Sequence, residues 1–558
     1  MTVVAPPAPP LPGPRSDRIY PTLEPGQLAR IAAVGRRRSV ARGEVLVEAG
    51  AQTVRLFVVV TGRLDVVRPS AVDEVVVSFG PGMFTGEATM LSGRRGLAQI
   101  RGGVDGEVIE VSRDDLLALI QSDSELSTMF MRAFILRRLE LINRNVSDVV
   151  VLGSPHCQGT LRVHEFLTRN GHPHTMLDLD HDTGVQELLD RFHVAAADVP
   201  VVITCGEVVL RNPTNRQLAD ALGFNDAINQ TQVRDLVIVG AGPAGLAAAV
   251  YGASEGLDVL MVEATAPGGQ AGASSRIENY LGFPTGISGL DLAARAASQA
   301  QKFGAQLMIG TGARRLACER RPYALEIGDG QRLPGRAVII ATGAEYRRLP
   351  IDGLARFEGA GVYYAATFME AQLCAGEEVI VVGAGNSAGQ AAVFLAQTAR
   401  RVHVLIRGGG LADTMSRYLI RRIEDHPAIV RHVHTELVSL AGNGHLEHVG
   451  WRDNPSGSIE THDIRHVFAM TGAVPSTRWL EGCLALDAKG FIKTGPDLLP
   501  EDLATARWPL ARAPHLLETS LPGVFAIGDV RAGSLKRVSS AVGEGSIAIA
   551  AVHQVLHE

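Results

Sequence analysis

Cysteine is scarce in this chain: five residues in 558, Cys157, Cys205, Cys318, Cys374 and Cys483, odd in number and with no C-x-x-C pair. That excludes a disulfide framework or a zinc ribbon and predicts a reducing, cytoplasmic setting. Aromatic residues make up only 5%, which argues against a surface built to stack nucleic-acid bases. No charge sign dominates, since 53 Lys and Arg against 59 Asp and Glu leave a net charge of −6. DNA and anionic membranes are therefore not expected partners. Long apolar runs are missing apart from two charge-free stretches, Leu236 to Ser254 and Val379 to Ala399, and both place a G-x-G shortly after an apolar run. That pattern predicts a buried strand turning into a helix rather than a membrane span. The start, MTVVAPPAPPLPGPRSDR, lacks a basic stretch followed by an apolar core. It predicts an extended, mobile proline-rich arm over residues 1–20 and no targeting peptide.

What is abundant is glycine, 61 of 558 residues, well above the roughly 7% of ordinary chains. The length calls for about three to four domains, because one hydrophobic core cannot serve so long a chain. Residues 21–146 alternate short strands with turn glycines and end in helical periodicity, which predicts a small β-barrel followed by helices. Residues 147–228 run strand, helix, strand, helix, strand, strand, helix, an α/β sandwich. From Val233 onward βαβ patterns recur, with glycine at the strand-to-helix turns.

The segment from Asp235 to Glu263 carries a full dinucleotide fingerprint. Gly240, Gly242 and Gly245 follow a strand, Pro243 and Ala244 open the helix, and Glu263 ends the next strand. The glycines permit a tight turn, close approach of backbone to pyrophosphate, and helix–strand packing, while the acid accepts ribose hydroxyls. A second unit follows with Gly383, Gly385, Asn386, Ser387 and Ala388 at its turn, but Arg407 stands where an acid would end the second strand. Arginine pairs with a 2′-phosphate that an acid would repel, so NADP is expected over NAD, the competing reading being a solvated surface arginine.

With these turns come PGGQ at Pro267 to Gln270, ENYLGFP from Glu278, IATGA at Ile340 to Ala344, TGAVPST at Thr471 to Thr477 and VFAIGDV at Val524 to Val530. In that order they resemble the low-molecular-weight thioredoxin reductase family over about three fifths of the chain, from Val233 to the end. The resemblance implies two Rossmann-like domains: an FAD domain over 229–346 and 467–558, and an inserted NADPH domain over 347–466. It also implies that Gly269, Gln270, Asn279, Thr342, Gly343, Gly528, Asp529, Lys536, Arg537, Val538 and Ser539 hold the flavin, and that the protein is a homodimer. Arg407 matches the first arginine of the family's HRR motif, and Gly408 replaces the second. In GVYYAATFME, from Gly361, Ala365 and Phe368 take the places of the family's two redox cysteines. A flavin-linked dithiol needs both sulfurs, so thioredoxin reduction by the usual route is not expected. Cys374, six residues past Phe368, reads as a packed helix thiol.

Upstream, VVLGSPHCQGTLRVHEFL from Val150 resembles a glutaredoxin or thioredoxin fold, with Cys157 at the first cysteine of its motif, Thr160 at the second, and Val199-Pro200 matching its cis-proline. A thiol at a helix N-terminus is a candidate catalytic monothiol; the alternative is a relic fold used for docking. Further upstream, FTGEATMLSGRRGLAQIRG resembles the phosphate cassette of cyclic-nucleotide-binding domains. Gly86 and Glu87 match its G-E pair, and Arg94 or Arg95 its phosphate-binding arginine. The arginine lies closer to Glu87 than in nucleotide-binding members. No helix-turn-helix follows, which excludes DNA binding by this unit.

The fold class expected is thus multidomain α/β: a cyclic-nucleotide-binding-like barrel, a thioredoxin-like sandwich and two Rossmann-like domains. The function expected is an NADPH-dependent FAD oxidoreductase that delivers electrons to an unidentified acceptor. The alternatives are a disulfide reductase acting through Cys157 and a redox or cyclic-nucleotide sensor. No metal is expected.

Overall fold

A computed structural model describes residues 16–558 except 52–54, 69–73, 87–88, 97, 144–148, 155–156, 180–197, 205–207, 275, 329 and 413. Residues 1–15 of the proline-rich arm lie outside the described residues, and Ser16–Ile19 forms a single helical turn rather than extended chain.

The N-terminal unit opens with helix α1 (Pro25–Val34), which the strand-rich reading of that region did not foresee. Strands β1 (Arg36–Val40), β2 (Val45–Val47), β3 (Leu56–Arg68), β4 (Glu74–Phe79) and β5 (Gln99–Val111) form a five-stranded antiparallel sheet of order β1-β5-β3-β4, with β2 on β5. No closed barrel forms among the described residues, so that expectation is corrected to a sheet. Long β3 and β5 pair with repeated register shifts, which bend the sheet without joining its edges. Helices α2 (Arg113–Ser122) and α3 (Ser124–Asn143) then cover it, burying Leu116, Leu126, Phe130 and Phe134 against Leu56, Val58 and Phe84.

The middle unit runs β6 (Val149–Gly153), α4 (Gln158–Arg169), β7 (Thr175–Asp178), β8 (Val201–Thr204), β9 (Val208–Arg211) and α5 (Asn215–Ala221). Its sheet order is β7-β6-β8-β9, parallel at β6–β7 and antiparallel elsewhere, and the Val199-Pro200 peptide is cis. The helix expected near residues 185–194 falls outside the described residues.

The remaining chain builds two larger, mainly parallel sheets, with a two-stranded and a three-stranded antiparallel sheet beside them among the described residues. Strands β10 (Arg234–Val239), β11 (Val259–Glu263), β12 (Gln306–Ile309), β13 (Ala313–Ala317), β14 (Tyr323–Ile327) and β15 (Gln331–Ile340) lie in the order β12-β11-β10-β15-β14-β13. The return strand βC (Val524–Ala526) adds in parallel to β15. The doubly covered parallel part explains why Leu236 to Val239 of β10 and Val259 to Val262 of β11 are unbroken apolar runs. Helices α6 (Pro243–Ser254), α7 (Gly289–Lys302) and the long C-terminal helix αC (Val538–Leu556) flank it.

The inserted unit contains β16 (Val362–Tyr363), α8 (Phe368–Leu373), β17 (Glu378–Val382), α9 (Asn386–Leu395), β18 (Arg401–Ile406), β19 (Ile429–Val433) and, after a three-stranded antiparallel sheet, β20 (His466–Ala469). Its parallel sheet has the order β16-β20-β17-β18-β19. The two charge-free stretches are therefore strand, turn and helix, and no described helix is long and apolar enough to cross a membrane. One buried cluster joins the middle unit to the first Rossmann-like sheet, running from Val151, Phe166 and Leu218 to Ile238, Met261 and Ile309. The middle unit is thus packed on that sheet by apolar burial and not merely tethered to it.

Candidate functional site

Both glycine turns form as their backbones require. Gly240 has φ +103°, and a Cβ there would lie 2.4 Å from the Ala341 carbonyl oxygen. Gly383 has φ +144°, with the Met470 carbonyl 2.4 Å from the same hypothetical atom. Only glycine fits either place. Gly242 and Gly385 then cap α6 and α9, so the unpaired N–H groups of each helix face the space above.

That space is a single cavity of about 2520 Å³ between the two Rossmann-like units and the middle unit. Its walls include Gly240, Gly242, Pro243, Ala244, Glu263, Gly269, Gln270, Asn279, Thr342 and Gly343 from the first glycine turn and the segments beside it. Gly383, Gly385, Asn386, Ser387 and Arg407 line it from the inserted unit, and Gly528, Asp529, Lys536, Arg537, Val538 and Ser539 from the returning C-terminal segment. Gly245 and Ala388 stand behind the wall and are packing positions. A Cβ on Gly245 would sit 2.0 Å from the Gly240 carbonyl oxygen, and Ala388 is fully buried.

Several wall residues are already oriented by the chain. The Glu263 carboxylate accepts from the backbone N–H of Ala241 (2.8 Å) and of Thr265 (2.9 Å), which ties the end of β11 to the glycine turn. The Gln270 amide donates to the Ala344 carbonyl, and Thr342 Oγ1 donates to the Ser476 carbonyl at 3.0 Å. Asn386 Oδ1 accepts from Ser416 N at 2.8 Å. Burial pushes the Asp529 carboxyl up, against the opposing pull of Lys536. Arg407 is 85% exposed, and its Nε lies 3.9 Å from Glu436.

The middle unit presents α4 to the same cavity, through Gln158, Gly159, Arg162, Glu165 and Arg169. Arg169 Nη2 donates to the Gly269 carbonyl (2.7 Å) and Asn170 Nδ2 to the Thr265 carbonyl (3.0 Å), seating α4 on the first glycine turn. Cys157 is half-buried at the N-cap of α4, one residue before the wall. Thr160 is buried against Gly153 and does not reach the surface. Ala365 lies on the cavity wall. Cys374 is fully buried beside the Ala371 carbonyl, and burial pushes its thiol up to about 11, as expected for a packed, inert sulfur.

The wall also holds residues that the sequence did not single out: Glu358, Tyr364, Glu370, Arg347 and Arg348. Tyr364 donates to Glu358 at 2.7 Å, and burial raises the Tyr364 hydroxyl further. Glu370 accepts from Thr367, yet burial still pushes its carboxyl up. Their proximity in sequence to IATGA and to GVYYAATFME was the only available signal.

At the N-terminal unit Glu87 lies outside the described residues. Gly86 has φ +98°, and its carbonyl accepts from Arg137 at 2.9 Å. Arg94 and Arg95 point into the middle unit.

Two strand–glycine–helix turns opening on one cleft define a protein of paired dinucleotide folds. The pyridine nucleotide-disulphide oxidoreductase profile matches residues 234–545, and a cyclic nucleotide-binding domain profile matches residues 37–123. The chain is 30% identical over 338 residues to thioredoxin reductase of Bacillus subtilis, covering 59% of this chain and 97% of that protein. It is 32% identical over 318 residues to thioredoxin reductase of Ureaplasma parvum, covering 57% and 95%. The crystal structure of Lactococcus lactis thioredoxin reductase matches with a TM-score of 0.52 at 25% identity, over 58% of this chain and 99% of that one. The chain belongs to the pyridine nucleotide-disulphide oxidoreductase family and is an oxidoreductase of the thioredoxin-reductase type, with a cyclic-nucleotide-binding domain at its N-terminal end.

Proposed function

We propose that the protein is an NADPH-dependent FAD oxidoreductase that works without the redox disulfide at Ala365 and Phe368 and passes electrons to a separate acceptor. The observation that carries this reading is the one continuous cavity onto which both helix N-termini open. The walls fit the cofactors. A Cβ on Gly385 would meet nothing within 4 Å, and one on Gly242 only the Gly269 Cα at 3.9 Å, so both backbones are open to a pyrophosphate. Glu263 holds the ribose of FAD, and the Asp529 and Lys536–Ser539 segments flank its flavin. Arg407 takes the 2′-phosphate of NADPH, while Gly383 to Ser387 cradle its pyrophosphate. Bound there, FAD would supply two-electron redox chemistry, taking up the hydride equivalent of NADPH and releasing electrons to the acceptor. The chain divides into units over 21–146, 147–228, 229–346 with 467–558, and 347–466. Purified protein carries yellow flavin, and NADPH bleaches it without oxygen; protein free of flavin, or flavin that stays oxidised, overturns this reading.

A second reading has its own observation in favour, namely that α4 of the middle unit lines the same cavity. The middle unit is thioredoxin-like, and Cys157 is its redox thiol: its thiolate attacks a substrate disulfide, releasing one substrate thiol and leaving a mixed disulfide, and two electrons drawn from NADPH through the cofactor site, with a proton, cleave that bond to return the Cys157 thiol and the second substrate thiol. Cys157→Ser then abolishes disulfide turnover but leaves NADPH bleaching intact. Disulfide turnover that survives the substitution removes this reading and leaves the first one standing.

A further inference from the structure

The arginines matched to a cyclic phosphate are engaged by the neighbouring unit. Arg95 directs Nε (2.9 Å) and Nη2 (2.8 Å) onto one carboxylate oxygen of Asp226, and its Nη1 reaches the Ala221 carbonyl at 3.4 Å. Arg94 donates to the Asn170 carbonyl at 3.1 Å and lies over the Phe224 ring, 4.1 Å from its centroid. The contact is closely packed. A Cβ on Gly223 would stand 2.2 Å from Arg95 Nε, and one on Gly93 would stand 2.8 Å from the Ala227 methyl.

A guanidinium binds a phosphate through the same paired N–H edge that it offers a carboxylate, so the two anions compete for Arg95. Asn170, which takes Arg94, and Asn225, the neighbour of Asp226, also hold the middle unit on the first Rossmann-like unit. Asn170 donates from Nδ2 to Thr265, two residues beyond Glu263. Asn225, next to Asp226, bonds both the carbonyl (2.9 Å) and the N–H (2.9 Å) of Ile309 at the end of β12. An event at Arg95 therefore acts on the 221–227 segment, which Asn225 ties to the end of β12.

We propose that Asp226 is an internal competitor for a cyclic nucleotide: the nucleotide and the docked 221–227 segment exclude each other on Arg95, and binding loosens the middle unit from its seat. The proposal deepens the cyclic-nucleotide-binding assignment of the N-terminal unit and rests on it. By linkage, the nucleotide weakens the Arg95–Asp226 contact by the same factor by which that contact weakens nucleotide binding.

The test uses the full chain with cAMP and cGMP as probes. Asp226→Asn keeps the shape but removes the competing charge, and it raises affinity for at least one of the two nucleotides about ten-fold or more. Arg95→Gln removes binding in both backgrounds. In the unsubstituted protein a saturating nucleotide speeds amide hydrogen exchange over 221–227, a readout that does not depend on any variant folding. Equal affinity with and without Asp226→Asn, or unchanged exchange at saturation, overturns the competition while leaving nucleotide binding intact. No binding of either nucleotide to either protein overturns both the competition and the nucleotide assignment. NADPH bleaching of the flavin in the same preparations remains a separate measure of the oxidoreductase reading.

Discussion

In the proposed reading Arg407 recognises the 2′-phosphate of NADPH, and Gly408 follows it where the family's second arginine would stand. Its side chain is 85% exposed on the cavity rim, with Glu436 3.9 Å away and Arg452 bound to that same carboxylate at 3.1 Å. Arg407→Gln should raise KM for NADPH about ten-fold while changing KM for NADH less than about two-fold. Steady-state kinetics with both nucleotides check this, and equal effects on the two would remove Arg407 from 2′-phosphate recognition. The residue type and its place after the second strand were visible in the sequence. The opposing Glu436 was not, because it arrives from a later strand.

At the scale of elements, the glycine turns separate two roles that one motif hides. A Cβ at position 245 would press within 2.0 Å of the Gly240 carbonyl, whereas one at position 385 would meet nothing. Gly245→Ala therefore forces α6 away from β10, costing about 2 kcal/mol or more of stability and the bound flavin. Gly385→Ala leaves thermal unfolding unchanged and weakens NADPH binding, because the methyl projects where a pyrophosphate approaches. Denaturation and NADPH titration of the two variants distinguish these outcomes; matching losses of stability would refute the division. Helix α4 shows the same lesson in another form. Its start at Cys157 was legible from the sequence, but its seat on Gly269 through Arg169 was not, since the two lie 100 residues apart.

Across the whole molecule, stability depends on histidines that must stay neutral. His164 and His174 pair at 2.6 Å, with His174 bonded to the His172 carbonyl at 3.0 Å. Burial lowers all three: His164 to about 4, His174 below its ordinary value, and His172 further below it. The unfolded chain binds these protons near the usual value of about 6.5, so it takes up more protons than the folded chain between there and about pH 4. Stability is therefore full above pH 6.5 or so and falls as pH drops through that window. Thermal unfolding followed from about pH 8 to pH 5 should show a plateau and then a decline, with the middle unit melting first. His164→Gln should flatten part of the decline, and an unchanged slope would exclude the pair as its source.

The sequence by itself determined the strand–glycine–helix turns, the acid of Glu263 at the end of one strand, the arginine of Arg407 at the end of another, and a segment from Gly361 to Glu370 without cysteine, because each is fixed by local backbone sterics or by residue identity within a few positions. Only the tertiary structure decided that the described N-terminal strands pair in the order β1-β5-β3-β4, that α4 and both glycine turns share one cavity, and that Arg95 meets Asp226 across 131 residues. Those facts depend on which surfaces are buried together, and burial is a property of the assembled chain rather than of any segment in it.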